Sequence, residues 1–441
     1  MTADPWGFGR DGGGRLVVGG CDVVALAREH GTPLHVVDTE LLRRTYRVFR
    51  DAFTGRYPRT RLSYSYKSNC VPGVLRVLHA EGCGAEVISP YELWLARRLG
   101  VPPRDIIYNG VNKSLEDLRT AVTLGVGHVN VDSIAELERV HALAETLGRP
   151  VDVGIRVHPA VGWRTHFGVD PRRDRLVEVC RALRRADVLR VRGLHAHFGS
   201  ALRATSDHAR ATRRLCDLMR DLQRHAGVTI EALDLGGGFG VPTVKHLTVG
   251  EIGRYRLLGL PPRAPSAAEC PRPEAFAEAI AGTLIACCRR DGLPEPELLL
   301  EPGRAITSAA QFLLLTVTEI KRRRSRLVAL VDGGMQNVAF PLSYEYHACL
   351  LASRSGDGAP TRRYTINGPL CSPEDVLYRN WALPQLAEGD LLAIMDAGAY
   401  FTSFANNFSF PRPAVVLAEH RASIAVRQRE TFEHMAALEG L

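Results

Sequence analysis

No two of the ten cysteines stand in C-x-x-C spacing and no H-E-x-x-H run occurs, so neither a zinc ribbon nor a zincin helix is on offer. Apolar runs of membrane-spanning length are missing, and residues 1–16, "MTADPWGFGRDGGGRL", hold no apolar stretch of signal-peptide size. Those absences predict reduced thiols, a cytoplasmic location, no membrane and no metal. There is no P-loop and no G-x-G-x-x-G in a strand–helix setting, which weakens nucleotide binding. Internal repeats and low-complexity segments are absent too. The one tight basic run, "KRRRSR" at 321–326, has no aromatic residue interleaved, so the +8 net charge is read as solvated surface without nucleic acid.

What is present is a rhythm. Short β-rich runs at 62–66, 84–89, 106–110, 128–133, 151–157, 192–198, 231–235 and 297–301 alternate with amphipathic stretches that mostly end in glycine. Eight such units over about 260 residues are the size of a (β/α)8 TIM barrel; a doubly wound sheet is the alternative. "ELLRRTYRVFRDAF" reads as an entering helix, and the Pro-containing insertion at 241–273 has the length of a functional loop or lid. Beyond about 308 the chain predicts strands without long helices between them, a second, mainly antiparallel β domain joined by an N-terminal strand. The expected division is 1–40, 41–308 and 309–441.

In "RLSYSYKSN" (61–69), Ser63, Ser65 and Lys67 share one side of a strand while Tyr64 and Tyr66 take the other. A lysine on the buried side of a strand must be paired, neutralised or covalently used. Other unusual residues gather at strand ends, where a barrel does its chemistry. Glu86 lies in the second strand and His197 ends the sixth, followed by Gly199 and Ser200; "DLGGGFG" (234–240) ends the seventh and "EPGR" (301–304) the eighth. Singly, each has an ordinary explanation as a turn glycine, a core histidine or a surface lysine. Together, an anion-cradling glycine loop, a lysine and a carboxylate on neighbouring strands suit pyridoxal 5′-phosphate (PLP) bound as a Schiff base.

The ordered motifs "YSYKSN", "HFGS", "DLGGGFG", "EPGR", "GPLCSPED" and "DAGAY" resemble those of the PLP-dependent ornithine, arginine and diaminopimelate decarboxylases, with their alanine-racemase-like barrel. The resemblance implies that Lys67 carries the cofactor, His197 stacks on its ring and Glu301 pairs with the pyridinium. It implies that Ser200, the backbone of Gly237, Gly238 and Gly240, Tyr400 and Arg304 hold the phosphate. Cys371 would enter from the partner subunit of a head-to-tail homodimer and return the proton. Glu86 stands where the family has Asp beside the lysine. Alanine racemases of this fold set an arginine against the ring nitrogen, so Glu301 points to decarboxylation: a protonated ring is the stronger electron sink.

Two departures concern the substrate. After the cysteine the family usually has an acid for the substrate's distal ammonium; here it is Ser372, with Asp375 three residues on as a possible substitute. In "GGMQNVAFPLSYEYH", Phe340 replaces the arginine that grips the distal carboxylate in diaminopimelate decarboxylases, while Tyr344 keeps a substrate position. "GIRVHPAVGWRTHFGVD" is also shorter than its counterpart. The expectation is therefore decarboxylation of a modified, conjugated or carrier-tethered amino acid in siderophore or antibiotic biosynthesis. The alternatives are a basic amino acid or diaminopimelate as substrate, and a non-catalytic PLP-binding homologue. Retention of Lys67, His197, Glu301 and Cys371 speaks against the last.

Overall fold

The computed structural model describes residues 6–440 apart from 164, 173, 185–187, 325 and 357, and apart from the side chains of 184, 339, 340 and 438. Eight parallel strands close a barrel: β1 Thr60–Ser65, β2 Gly84–Val87, β3 Ile106–Tyr108, β4 His128–Val131, β5 Val151–Arg156, β6 Leu189–His195, β7 Ala232–Asp234 and β8 Glu297–Leu300. They run in chain order round the barrel, and β8 closes on β1 with Leu300 opposite Leu62. The helices between them start and stop where the sequence supplies caps. Ser89, Ser114 and Ser133 each accept an N–H of the first turn that would otherwise be orphaned. Gly125, Gly148, Gly227 and Gly292 end their helices in the left-handed conformation a Cβ disfavours.

Every barrel strand ends one to three residues earlier than expected, and two of those ends matter for the site. β1 stops at Ser65, and Lys67 sits in a one-turn 3-10 helix, Tyr66–Ser68. The serine–tyrosine alternation holds up to that turn: Ser65 faces Glu86, while the Tyr64 hydroxyl meets Thr307 outside the barrel wall. β6 spans 189–195 rather than 192–198, so His195 is its last residue and His197 belongs to the loop beyond.

The second sheet is built on the long strand Gln311–Arg323. It pairs antiparallel with Leu34–Asp38, Leu391–Ile394 and Arg326–Val331. Its period of two divides two cores: Phe312 and Leu314 join the cluster shared with the barrel, and Leu313, Leu315 and Val317 join a cluster within the β domain. The basic run is a hairpin, with Arg323 opposite Arg326. The expected N-terminal strand is Leu34–Asp38; Leu16–Val18 lies in a small separate sheet. The helix Met335–Tyr344 interrupts the β-rich part.

The insertion is more ordered than a plain loop. Lys245–His246 pairs with Glu345–Tyr346, and the helix Val249–Leu258 is capped reciprocally by Thr248 and Glu251. The Tyr255 hydroxyl accepts the Arg379 N–H at 2.8 Å, which ties this helix to the β domain. Among the described residues no helix is long and apolar enough to cross a membrane.

Candidate active site

Every barrel strand delivers a polar group to one end of the barrel. Lys67 Nζ, in the turn after β1, lies 3.0 Å from Glu86 Oε2 on β2. The same oxygen accepts from Ser65 Oγ on β1. Glu86 Oε1 accepts from Asn109 Nδ2, just past β3, at 3.2 Å, and that amide nitrogen also donates to Glu301 Oε1, just past β8. Asn109 Oδ1 in turn accepts from Asn130 Nδ2 on β4 at 2.7 Å. Both carboxylates near the lysine are therefore aimed by one buried amide. Glu86 is fully buried, and its reach is set by these partners.

The electrostatics are lopsided. Burial pulls the Lys67 ammonium down, but the charges of Glu86 and Glu301 outweigh it and hold it above its ordinary value. Glu301 is pushed well up by burial, then by Asp234 and Glu86. Asp234, at the end of β7, is pushed up to about 6, chiefly by burial. His195 Nε2 stands 3.7 Å from Glu301 Oε2, yet burial and then Arg156 keep that imidazole far below its usual value, so it brings Glu301 no positive charge. A carboxylate in that state gains by meeting a cation. His195, Asp234 and Glu301 also bring three donor atoms within 4.8 Å of one another, a ligand set the sequence had not revealed.

The glycine loop is shaped by close backbone approach. A Cβ on Gly237 would stand 2.4 Å from the Glu301 carbonyl oxygen, one on Gly238 2.5 Å from that of Gly199, and one on Gly240 2.5 Å from that of Leu202. Gly238 also has a φ of +84°, which disfavours any side chain. The Gly237 N–H donates to His197 Nδ1 at 3.2 Å, setting the plane of that ring. Burial, then the Lys67 charge, holds His197 far below its ordinary value, so it is neutral. Ser200 is half-buried beside this loop. The Tyr400 N–H donates to the Ser68 carbonyl at 2.7 Å, which brings Tyr400 to the turn carrying Lys67.

Other expected site residues are placed differently. Arg304 gives both terminal nitrogens to Glu345, at 2.9 and 2.5 Å, and is buried with it. Its guanidinium is thus spent on a carboxylate rather than turned to an anion, and its plane lies near the Tyr400 ring, 5.2 Å from the centroid. Asp375, the expected substitute for the acid missing at Ser372, is turned to the backbone. Its two oxygens accept the Leu370 N–H and the N–H of Met335, the first residue of its helix, each at 2.7 Å. The Cys371 thiol is exposed and Ser372 half-buried on the same loop; among the described contacts none joins either to Lys67, Glu86 or Glu301. Tyr344, at the end of its helix, is 53% exposed. The side chain of Phe340 lies outside the described residues.

An amine facing two carboxylates, a buried carboxylate short of a cation, and a backbone cradle that admits no side chains fit PLP. Lys67 would take the aldehyde, Glu301 the ring nitrogen and the glycine loop the phosphate. Comparison with known proteins agrees. The family described as "Pyridoxal-dependent decarboxylase, pyridoxal binding domain" matches residues 40–308. The chain is 35% identical over 435 residues to the diaminopimelate decarboxylase of Methanothermobacter thermautotrophicus, covering 96% of this chain and 95% of that one. It is 31% identical over 441 residues to the diaminopimelate decarboxylase of Methanocaldococcus jannaschii, covering 96% and 94%. The crystal structure of the M. jannaschii enzyme in co-complex with L-lysine superposes with a TM-score of 0.87 at 29% identity, over 98% of each chain. These relatives favour the diaminopimelate alternative and lend no support to a specialised pathway. The chain belongs to the pyridoxal-dependent decarboxylase family and is a PLP-dependent amino-acid decarboxylase.

Proposed function

We propose that the enzyme removes an α-carboxylate from a diamino acid of the diaminopimelate type. The reaction type rests on Glu301, a buried carboxylate in the same mouth as Lys67. The substrate rests on the near-complete overlap with diaminopimelate decarboxylases. Bound PLP supplies the electron sink into which the bond to the departing carboxylate breaks. Glu301 holds a proton at the ring nitrogen, and Asn109 keeps that carboxylate and Glu86 in register. Glu86 orients the Lys67 amine, His197 covers the ring, and Ser200, Tyr400 and Gly237, Gly238 and Gly240 bind the phosphate. Cys371 of the partner subunit returns a proton to Cα, with residues 41–308 forming the cofactor-binding barrel of each protomer. Mixing inactive Lys67→Ala and Cys371→Ala subunits under exchange should restore part of the activity; no recovery would remove the shared site.

A second reading is favoured by the mouth's lack of the expected distal contacts. Phe340 has no guanidinium, Ser372 has no carboxylate, and the carboxylate of Asp375 is turned to two backbone N–H groups. A substrate whose distal end is modified, conjugated or carrier-tethered needs none of them. The test is CO2 release from free diaminopimelate, then ornithine, lysine and arginine, then distally conjugated forms. Turnover of free diaminopimelate well above the rest supports the first reading. Turnover of conjugates alone supports the second. Silence with all of them, cofactor bound, would overturn both substrate readings.

A further inference from the structure

The shortened loop after β5 is docked onto the segment that carries His197. Its ends are joined by a bridge between Val157 and Val169. Asp132 Oδ1 accepts the Gly168 N–H at 3.1 Å, and the Arg156 guanidinium lies 4.5 Å from the Phe167 ring centroid. At the tip, Gly162 has a φ of +71°, and a Cβ there would stand 1.9 Å from the Phe198 carbonyl oxygen, so only glycine permits this approach. The next N–H, that of Trp163, donates to the same carbonyl at 2.9 Å. His158 fixes the other side of the tryptophan. Its Nδ1 accepts the Ala160 N–H at 3.1 Å, leaving Nε2 to donate to the Trp163 carbonyl at 3.0 Å.

With its backbone held from both sides, Trp163 sets its ring against that of His197. The centroids are 5.9 Å apart and the planes 61° apart, an edge-to-face contact. Trp163 is 41% exposed, so one part of the indole backs the imidazole and another faces solvent at the mouth. Among the described hydrogen bonds His197 has one, from the Gly237 N–H to Nδ1, which fixes the ring plane but not its tilt about that bond. We propose that Trp163 is the positioning residue for His197, setting the tilt at which the imidazole covers the cofactor ring. The proposal rests on the PLP-binding reading of this mouth.

The experiment follows the cofactor rather than turnover alone. Apoprotein is loaded with PLP, and the visible circular dichroism of the bound cofactor (near ~420 nm) and its rate of release to a scavenger are recorded. Trp163→Ala should alter the dichroic band and speed release by about 2- to 12-fold, the span expected for one aromatic contact. Trp163→Phe should restore both, because it keeps an aromatic edge. In the single Trp163→Ala variant kcat should fall more than KM changes, and in a His197→Ala background Trp163→Ala should add nothing. Wild-type band and release rate in Trp163→Ala, or full additivity with His197→Ala, would overturn the assignment while leaving PLP binding intact. Failure of the wild type to form the band would instead sink the PLP-binding reading, and this inference with it.

Discussion

Two buried charge clusters sit close together in this molecule and are built on opposite principles. Around Glu345 the carboxylate has cationic or hydrogen-bonding partners on both oxygens. Arg304 grips it with two nitrogens, and His347 and His246 each bring Nε2 within 3.2 Å. Burial alone would raise that carboxyl, but Arg304 and the imidazoles outweigh it and hold it well below the carboxylate range. Around Lys67 one amine faces Glu86 and Glu301, with Asp234 behind them, and the last two carboxyls are pushed up instead. A closed cluster is costly to break, because removing one partner strands the other's charge in the interior. An open one keeps charge in reserve for a ligand that brings the missing cation.

The contrast can be broken most severely at Glu345. Glu345→Gln leaves the Arg304 guanidinium buried without its carboxylate and should cost about 3–5 kcal/mol in denaturant unfolding. Unchanged stability would mean that Arg304 has another acceptor. Glu301→Gln removes a carboxylate that has no cation of its own, so the apoprotein should unfold no more easily than wild type, while turnover falls about 100-fold or more. Equal turnover would undo the pyridinium assignment.

Glu92 sharpens the comparison from the rim of the open cluster. Its buried carboxyl is pushed up to about 7 by burial and then by Glu86, although the Ile88 N–H donates to it at 2.8 Å. The folded value lies above the unfolded one, about 4.3. The group therefore favours the fold below about pH 4, and that contribution is lost as pH rises through 7. Glu92→Gln should stabilise the protein by roughly 1–3 kcal/mol at pH 8.5 and by much less at pH 5, by thermal or denaturant unfolding.

Much of the site was legible because periodicity and strand ends are local properties. Lys67, Glu86, His197 and Glu301 were found by asking what stands at the C-terminal ends of β-rich runs. The same question would have found Asn109, which directly follows β3 but lies inside the 106–110 run and was not singled out. Partner choice was not legible. Asn109 meets Glu301 across 192 residues and Arg304 meets Glu345 across 41, and neither pair has a sequence spacing that announces it. Arg304 was expected to meet an anion from outside; the fold supplies Glu345, just past the helix Met335–Tyr344. Asp375 was considered as a substitute acid; two backbone donors claim it. The short turn at 66–68 that redirects Lys67 also went unread, because the serine–tyrosine alternation runs through it unbroken in the sequence.

By itself the sequence determined the order of strands and helices, the glycine cradle and the amine in the mouth. Periodicity, capping and the steric demands of glycine act between near neighbours along the chain. Only the tertiary structure decided which carboxylates are satisfied and which are left waiting. A desolvated charge takes whichever partner the closed barrel brings within about 3–4 Å, and that distance is a property of the packed molecule.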